Sequence, residues 1–299
     1  MPPLWMESQF VAFARPGRVT ADLAINEPLP AGTDVINLPK INTGSAVAVQ
    51  TTQNSAVQQT DITTTSVSSP VVTIAGGQTV SLQLLEQSPL NMDAVILGDL
   101  AADYGVKLNG QVLNGSGTAG QATGILTVAG TNQIAYTSST PTLAGPGGLY
   151  SKLAGAMQAV HTKRFLPADV IIMHPTRWAW IIATADSSNR PYVVPTANGP
   201  YNALGTSGAV AAQGYVGNLL GLPVYADATL PTNLGTGTNQ DTIIVMRRED
   251  LWLWESTIRA EAFAQTYANN MSVFVRLYNY MSFQPARFPS PSASSAVPA

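Results

Sequence analysis

The stretch VLNGSGTAGQATGIL, residues 112–126, contains a glycine motif typical of phosphate-binding loops. Residues 115–120 match the pattern G-x-G-x-x-G, which binds a dinucleotide only where a strand precedes it and a helix follows it. Here a helical pattern precedes the glycines, TGILTVAG after them is predicted to form a short strand, and no acidic residue follows until Asp169. We therefore interpret Gly115, Gly117 and Gly124 as parts of a turn that ends a helix and holds no phosphate.

Charged residues are scarce in this chain of 299 residues. Only 10% are Asp, Glu, Lys or Arg, whereas about 25% is usual in a soluble domain. Asp61 is the only charged residue between Ile41 and Leu85, and residues 108–151 and 191–226 contain none. A free monomer normally keeps a charged surface, whereas interface cores are depleted in charge. The composition therefore fits either a surface covered by neighbouring subunits or a secreted β-rich protein with a neutral polar surface.

Other features argue against several classes of function. The sequence has no apolar run long enough to span a membrane, no signal peptide and no cysteine. A net charge of −3 argues against a dedicated nucleic-acid binder. The histidines His161 and His174 do not cluster with metal ligands, and Asp241, Glu249 and Asp250 are expected on a solvated, salt-bridged turn. We therefore expect no enzyme activity, no cofactor and no metal.

The first part of the chain is predicted to extend away from a compact body. Residues 1–33 contain five prolines and scattered large apolar residues, which predicts an extended arm that packs on something else. Residues 34–87 are β-rich, with TVSLQLLE alternating as a strand and Gly76-Gly77 as a hairpin turn. The polar segment before this hairpin is predicted to form a long two-stranded excursion.

Residues 88–113 have the strongest helical pattern. Ser88 suits the N-cap and Pro89 suits the first helical position. An apolar stripe follows at spacings of three and four residues. Three glycines within it each cost about 1 kcal/mol relative to Ala, so we expect close packing to hold this helix.

The second half of the chain is predicted to mix helices and strands. Helices are predicted over residues 148–164 and in TRWAWIIATAD, with Trp178, Ile181, Ile182 and Ala185 facing inward. A Gly- and Ala-rich loop is expected at residues 195–218, and the small polar tail is expected to be disordered. Strands are predicted in VIIMHP, LPVYAD, TIIVM, DLWLWE and MSVFVRLYNYMSF.

Four motifs, in this order, resemble the major capsid proteins of tailed bacteriophages, which have the Hong Kong 97-type fold. VLNGSGTAGQATGIL is similar to the turn after the family's long spine helix. DVIIMHPTRWAWI is similar to its strand that ends in His-Pro or Asn-Pro before a helix. GNLLGLPVYADATLP resembles its Leu-Gly-x-Pro-Val strand, and TIIVMRREDLWLWE resembles its late strand pair. The resemblance covers about residues 34–283.

This resemblance implies an α+β fold with a spine helix, peripheral and axial domains, a projecting β-hairpin loop and an extended N-terminal arm. The loop, about residues 40–78, is expected to lie over a neighbouring subunit, since a hairpin without its own core is stable only on a neighbour. The expected parts are an arm (1–33), the loop with its flanking strands (34–87), the spine helix with peripheral strands (88–147), an axial domain (148–240), return strands of mostly the peripheral domain (241–288) and a disordered tail (289–299).

The implied function is self-assembly, through hexamers and pentamers, into the icosahedral shell that encloses the double-stranded DNA of a tailed phage. Implied partners are further copies of the chain, a portal protein, decoration proteins and packaged DNA held by weak non-specific contacts. A separate scaffold is favoured, because no charged helical segment precedes the arm. The chain is expected in the virion and, during assembly, in the host cytoplasm. Two alternatives are an encapsulin-type compartment shell and a secreted or surface β-rich protein.

The sequence departs from the family at one chemical step. Some members join a lysine on the projecting loop covalently to an asparagine of a neighbour. No lysine occurs between Ile41 and Leu85, and Lys40 lies at the base of the loop. We therefore predict that boiled particles run as monomer in denaturing gel electrophoresis, and a ladder of multimers would contradict this.

Overall fold

The computed structural model describes residues 13–88, 92–136, 138, 140–185, 214–235, 237–288 and 292–298. The helices in these ranges are α1 (Val19–Leu23), α2 (Leu82–Gln87), α3 (Met92–Asn114), α4 (Leu149–Arg164) and α5 (Pro175–Ala183). The strands are β1 (Ile25–Pro28), β2 (Val35–Thr43), β3 (Thr63–Pro70), β4 (Val72–Ser81), β5 (Asn132–Ala135), β6 (Val170–Met173), β7 (Tyr215–Leu219), β8 (Leu222–Ala226), β9 (Gln240–Met246), β10 (Trp252–Glu255), β11 (Arg259–Tyr267), β12 (Ser272–Gln284) and β13 (Ser292–Pro298). The fold is α+β, as predicted.

One sheet is built around the long strand β12. Strands β11 and β10 pair antiparallel with successive parts of β12, and β1 continues the sheet by pairing parallel with β10. Strand β4 pairs antiparallel with β12, from Ser272↔Ser81 to Met281↔Val72. The spine helix α3 packs on this sheet, where Leu277 and Met281 face the same cluster as Tyr104.

A second sheet has the strand order β5-β13-β9-β6-β8-β7. All four residues of β6 are buried, because both faces of the sheet are covered. One face carries Ile172 and Ile244 into the cluster that includes α3. The other face carries Ile171 and Val245 into a cluster with α4 and α5. The sheet therefore connects the two cores of the subunit.

The strands β2 and β3 form a separate antiparallel hairpin, with register from Val35↔Pro70 to Thr43↔Thr63. The two-stranded excursion predicted from the sequence is present, and residues 44–62 at its end belong to no strand. Its link to the body is short: the Ser69 hydroxyl donates to the carbonyl of Phe283 at 2.6 Å, and the Ser282 hydroxyl bonds to that of Ser69 at 2.9 Å.

The predicted turn at Gly76-Gly77 was wrong, since β4 continues through both glycines. The glycine at 77 is explained by packing, because a Cβ there would come within 2.5 Å of the Phe274 ring. The strand predicted in TVSLQLLE ends at Ser81, and α2 follows. Ser88 lies just after α2 instead of capping the long helix, and Pro89 lies outside the described residues.

The two ends of the chain also differ from the prediction. The arm is not extended throughout, because Val19–Leu23 is helical and Ile25–Pro28 joins a sheet. Residues 1–12, including Trp5 and Phe10, lie outside the described part. The tail predicted to be disordered contains β13, which pairs with both β5 and β9. Backbone pairing between two neighbours stabilises this polar strand without an apolar sequence signal.

Three smaller predictions need correction. TGILTVAG forms a series of turns instead of a strand. On α5, Trp178 and Ile181 are buried as predicted, but Ile182 and Ala185 are exposed. The loop predicted at 195–218 includes β7 at its end, and residues 195–213 lie outside the described ranges.

Candidate assembly surfaces

The glycine turn folds the chain back onto the end of α3. The N–H groups of Ile125 and Leu126 donate to the carbonyls of Val112 and Leu113, both at 2.9 Å. These carbonyls belong to the last turn of the helix, which has no intrahelical donors. The side chain of Ile125 is buried in the same cluster as Val112 and Leu113, so the turn both caps the helix and extends its apolar core.

The sequence-predicted glycines occupy the closest approaches in this turn. A Cβ at Gly115 would lie 2.1 Å from the carbonyl oxygen of Ala122, and one at Gly124 would lie 2.6 Å from the carbonyl oxygen of Leu113. Gly117 has φ +72°, where a side chain is strained. The N–H of Gly117 donates to Ala122 at 3.0 Å and that of Gly124 to Gly115 at 2.9 Å, so both groups bond within the turn.

The projecting loop, residues 44–62, carries apolar side chains that no described part of the subunit covers. Val47 is 99% exposed, Val49 is 87% exposed and Val57 is 73% exposed. Isolated exposed apolar residues are common, but a concentration of them on a loop that has no core and whose only charged residue is Asp61 marks an interaction surface.

The arm is fixed to α3 by an arginine fork. The Arg15 guanidinium donates two hydrogen bonds of 2.9 Å to Asp99 and one of 2.6 Å to Asp103. The two carboxylates lie four residues apart and therefore on one face of the helix. The hydrogen bond from Arg15 lowers the pKa of Asp99. The arm thus docks through charge, at partly exposed groups.

A second arginine of the arm pairs with a carboxylate of strand β10. Arg18 bonds to both carboxylate oxygens of Glu255, at 3.0 and 2.9 Å. Burial disfavours the charge on Arg18, but the bonds to Glu255 and Asp22 outweigh it and raise the pKa of Arg18. Tyr104 donates to Glu255 at 2.7 Å and accepts from Asn279 at 2.8 Å. Burial, together with the bond to Glu255, raises the pKa of Tyr104.

A buried carboxylate joins the arm, the spine helix and the second sheet. Asp227 accepts hydrogen bonds from the Thr20 hydroxyl at 2.5 Å and from the amide of Asn109 at 2.8 Å. It also accepts from the N–H of Thr229 at 2.9 Å. The amide oxygen of Asn109 in turn accepts from the N–H of Ala21 at 2.9 Å. This network was missed from the sequence, since its members are far apart in the chain and each is a common polar residue.

The acidic residues that were expected on a solvated turn are mostly buried ion pairs. Asp241 bonds to Arg177 through two contacts of 3.0 Å, and both side chains are buried. Asp250 is buried against Arg164 at 3.0 Å. Burial raises the pKa of Asp250, and Arg164 opposes that shift. Only Glu249 lies in the exposed setting that was predicted, beside Arg247.

Both histidines have positions that a structural role explains. His174 is the N-cap of α5, where its Nδ1 accepts from the N–H of Thr176 at 3.2 Å. His161 lies in the last turn of α4. Among the described residues, no group of three or more His, Cys, Asp or Glu side chains could hold a metal ion, and no helix there is long and apolar enough to cross a membrane.

Comparison with known proteins identifies this architecture. The model of the phage capsid family matches residues 8–282. Among solved structures, the chain is similar to the capsid of the native GTA particle, with TM-score 0.73 and 14% identity over 100% of this chain and 96% of that chain. A structure from Gordonia phage Cozz gives TM-score 0.72 and 13% identity over 99% and 91% of the two chains. No curated protein sequence matches the chain.

The fold is therefore that of phage capsid shells, and the chain belongs to the phage capsid family. It is a major capsid protein of the tailed-phage type, a structural component of the virion shell without an enzymatic role. The resemblance drawn from the four motifs is confirmed. Neither the encapsulin-type compartment nor the secreted β-rich protein is favoured by these matches.

The crowding at Gly115 predicts a large effect of a single methyl group. We expect Gly115→Ala to lower the free energy of unfolding by about 2 kcal/mol or more, because the turn must move away from the end of α3. Gly98→Ala is the matched control, since a Cβ there meets nothing within 4 Å and the helix should gain about 0.5–1 kcal/mol. Chemical denaturation of both variants measures the difference, and equal stabilities would contradict the prediction.

Because Arg15 of the arm bonds to the ionised carboxylate of Asp99, we expect docking of the arm to depend on pH. The pKa of Asp99 is lowered in the folded chain, so the docked arm favours the ionised carboxylate and loses this stabilisation as the pH falls through that lowered value. The protection factors of residues 13–18 in hydrogen exchange, which correct for the pH dependence of the intrinsic exchange rate, should therefore fall at acid pH. The double variant Asp99→Asn, Asp103→Asn should already have low protection factors at neutral pH and respond little to acid. An unchanged acid response in this variant would contradict the assignment.

Proposed function

We propose that copies of this chain assemble into hexameric and pentameric capsomers in which residues 44–62 of each copy lie on a neighbouring copy. The exposure of Val47 and Val49 on a loop whose only charged residue is Asp61 carries this proposal. Burying them would gain about 25 cal/mol per Å² of apolar surface. Ordering of the loop offsets part of this gain, so each contact is modest and the closed shell adds many of them.

The two sheets of the subunit, each with its own helices, are assigned to different positions in the capsomer. We assign the second sheet with α4 and α5 to the axial domain, near the centre of the capsomer. We assign α3 with the sheet around β12 to the peripheral domain. The separate apolar clusters on the two faces of the second sheet support this division, and the fold-back at Gly115, Gly117 and Gly124 provides the link between α3 and the chain that leads to α4.

The remaining partners follow from what a DNA-filled shell requires. A separate scaffold would guide curvature, a portal protein would occupy one vertex, and decoration proteins would bind the outer surface. Packaged double-stranded DNA would touch the wall weakly and without sequence preference, since a net charge of −3 gives little overall attraction to phosphates. Assembly would take place in the host cytoplasm.

Electron microscopy of the purified chain tests the proposal of a closed shell. We expect icosahedral particles that sediment far ahead of the single chain. A preparation that stays dispersed as folded single chains at high concentration would overturn the proposal. Particles from infected cells that enclose DNA and carry a portal vertex distinguish a genome shell from a compartment that encloses protein cargo.

Replacement of the loop tests which part of the chain drives assembly. Because Thr43 pairs with Thr63, residues 44–62 can be replaced by Asn-Gly, a two-residue hairpin turn. We expect a folded chain with unchanged thermal stability that no longer forms particles. Gln58→Ala, on the same exposed loop, is the control and should assemble normally. Normal particles from the Asn-Gly variant would show that the loop is not required.

A further inference from the structure

Strand β4 presents an open edge of the sheet. Among the strands that the structure describes, β12 is the only one that pairs with β4. In an antiparallel pair, the N–H and C=O groups of alternate residues point away from the partner strand. Over ten residues, VTIAGGQTVS, this edge contains no charged residue and no proline. Natural proteins usually protect such an edge with charges, prolines or a covering element.

A groove lies beside this edge. It has a volume of about 340 Å³ and lies between the first half of β4 and the spine helix α3. Ile74 and Leu100 form part of its apolar lining, and Lys107 and Gln111 form part of its polar lining. A groove between a strand edge and a helix is the geometry that captures an extended peptide as an added strand.

The residue types on β4 fit close approach by another backbone. A Cβ at Gly76 would meet only Leu100, at 3.8 Å, which is ordinary contact. Packing within the subunit therefore does not require glycine at position 76. Glycine inside a strand often marks a place where another backbone comes close, and Ala75 beside it is also small and exposed.

The projecting loop contains a segment that matches this edge. Residues 44–50, GSAVAVQ, belong to no helix or strand, and all of them are exposed. Val47 and Val49 alternate with Ala46 and Ala48, so an extended backbone places the valines on one face and the alanines on the other. Seven residues span about 23 Å, within the roughly 33 Å of a ten-residue strand. Neither segment carries a charge that the other would have to neutralise.

We propose that residues 44–50 of one copy add as a strand to the open edge of β4 in a neighbouring copy, with Val47 and Val49 in the groove between β4 and α3. The inference rests on the proposed function, because it needs copies of the chain to meet in a shell. Backbone hydrogen bonds supply the register, and the two valines supply the buried apolar surface beside Ile74 and Leu100.

Hydrogen exchange on wild-type particles tests this pairing without any substitution. Peptides that cover residues 44–50 and 72–81 are compared between particles and dissociated subunits. Half of the β4 amides are protected by β12 in both states, and we expect the others to slow at least tenfold in particles, together with residues 44–50. If residues 44–50 slow and residues 72–81 do not change, another surface receives the loop and the proposal is wrong.

Engineered disulfides test the side-chain register, and the absence of cysteine from the chain leaves no background thiol. The side chain of Ala75 lies on the sheet face opposite to Ile74, so the loop alanines should meet it and the valines should not. Particles with Ala75→Cys combined with Ala46→Cys or Ala48→Cys should give, after oxidation, a ladder of linked chains on a non-reducing denaturing gel. Ala75→Cys combined with Val47→Cys is the matched control and should give several-fold less.

The other outcomes are distinct. Equal ladders from the alanine and valine positions would exclude an added strand. Dimers from Ala75→Cys alone would mean that β4 edges pair with one another, which also overturns the proposal. Intact particles with neither ladder nor exchange protection would refute the strand pairing and leave the shell function standing. Failure of the wild-type chain to form particles would refute the shell function itself.

Discussion

The close backbone approach after α3 is the constraint on which the subunit depends. The spine helix is in the core that also contains the sheet around β12, while the chain must continue to a second sheet. The N–H groups of Ile125 and Leu126 bond to the carbonyls of Val112 and Leu113, so the change of direction satisfies carbonyls that would otherwise have no donor at the end of the helix. Gly115 and Gly124 make this possible, because any side chain there would meet backbone atoms. A dinucleotide-like glycine pattern thus arises from packing geometry.

Several of the few charges of this chain form ion pairs within the subunit. Arg177 and Arg164 pair with buried carboxylates, and Arg18 connects the arm to Glu255 on β10. Buried ion pairs contribute little net stability, but loss of one partner is costly, so these pairs fix which elements meet. The outer parts are left with neutral polar and small apolar residues. Contacts between copies then depend on shape, backbone hydrogen bonds and apolar area, which are little affected by salt.

The helices and strands that were predicted correctly are those whose burial is reflected in the order of apolar residues along the sequence. The helix predicted over residues 148–164 and the strands predicted in VIIMHP and MSVFVRLYNYMSF were found as α4, β6 and β12, because elements buried on one or both faces have recognisable runs of apolar residues. The order of four degenerate motifs gave the fold. The prediction of a turn at Gly76-Gly77 was wrong. Glycine pairs occur both in turns and in strands where a neighbour leaves no room for a Cβ, and the position of Phe274 shows that the second case applies at Gly77.

Contacts between residues far apart in the chain could not be recognised from the order of apolar residues. The arginines nearest to Asp241 in the sequence are Arg247 and Arg248, yet its partner is Arg177. Asp227 accepts hydrogen bonds from Thr20 of α1 and Asn109 of α3, both far from it in the sequence. The polar tail gave no strand signal because β13 lies between two strands that supply its hydrogen bonds. In each case the stabilising interaction belongs to the tertiary structure, and one sequence without related sequences does not contain it.

The same backbone and apolar groups of the β4 edge and the exposed loop that favour assembly also favour aggregation. An uncharged strand edge pairs readily with any extended chain, and an uncharged β-prone segment such as residues 44–50 aggregates as readily as it assembles. A charge on either segment would remove the hazard, but it would then be buried in every copy of the finished shell, at a cost in desolvation. Closed symmetry resolves the conflict, because each edge and each loop is used once when the ring closes. Charge depletion is therefore tolerable only in a chain whose assembled state leaves few such surfaces free.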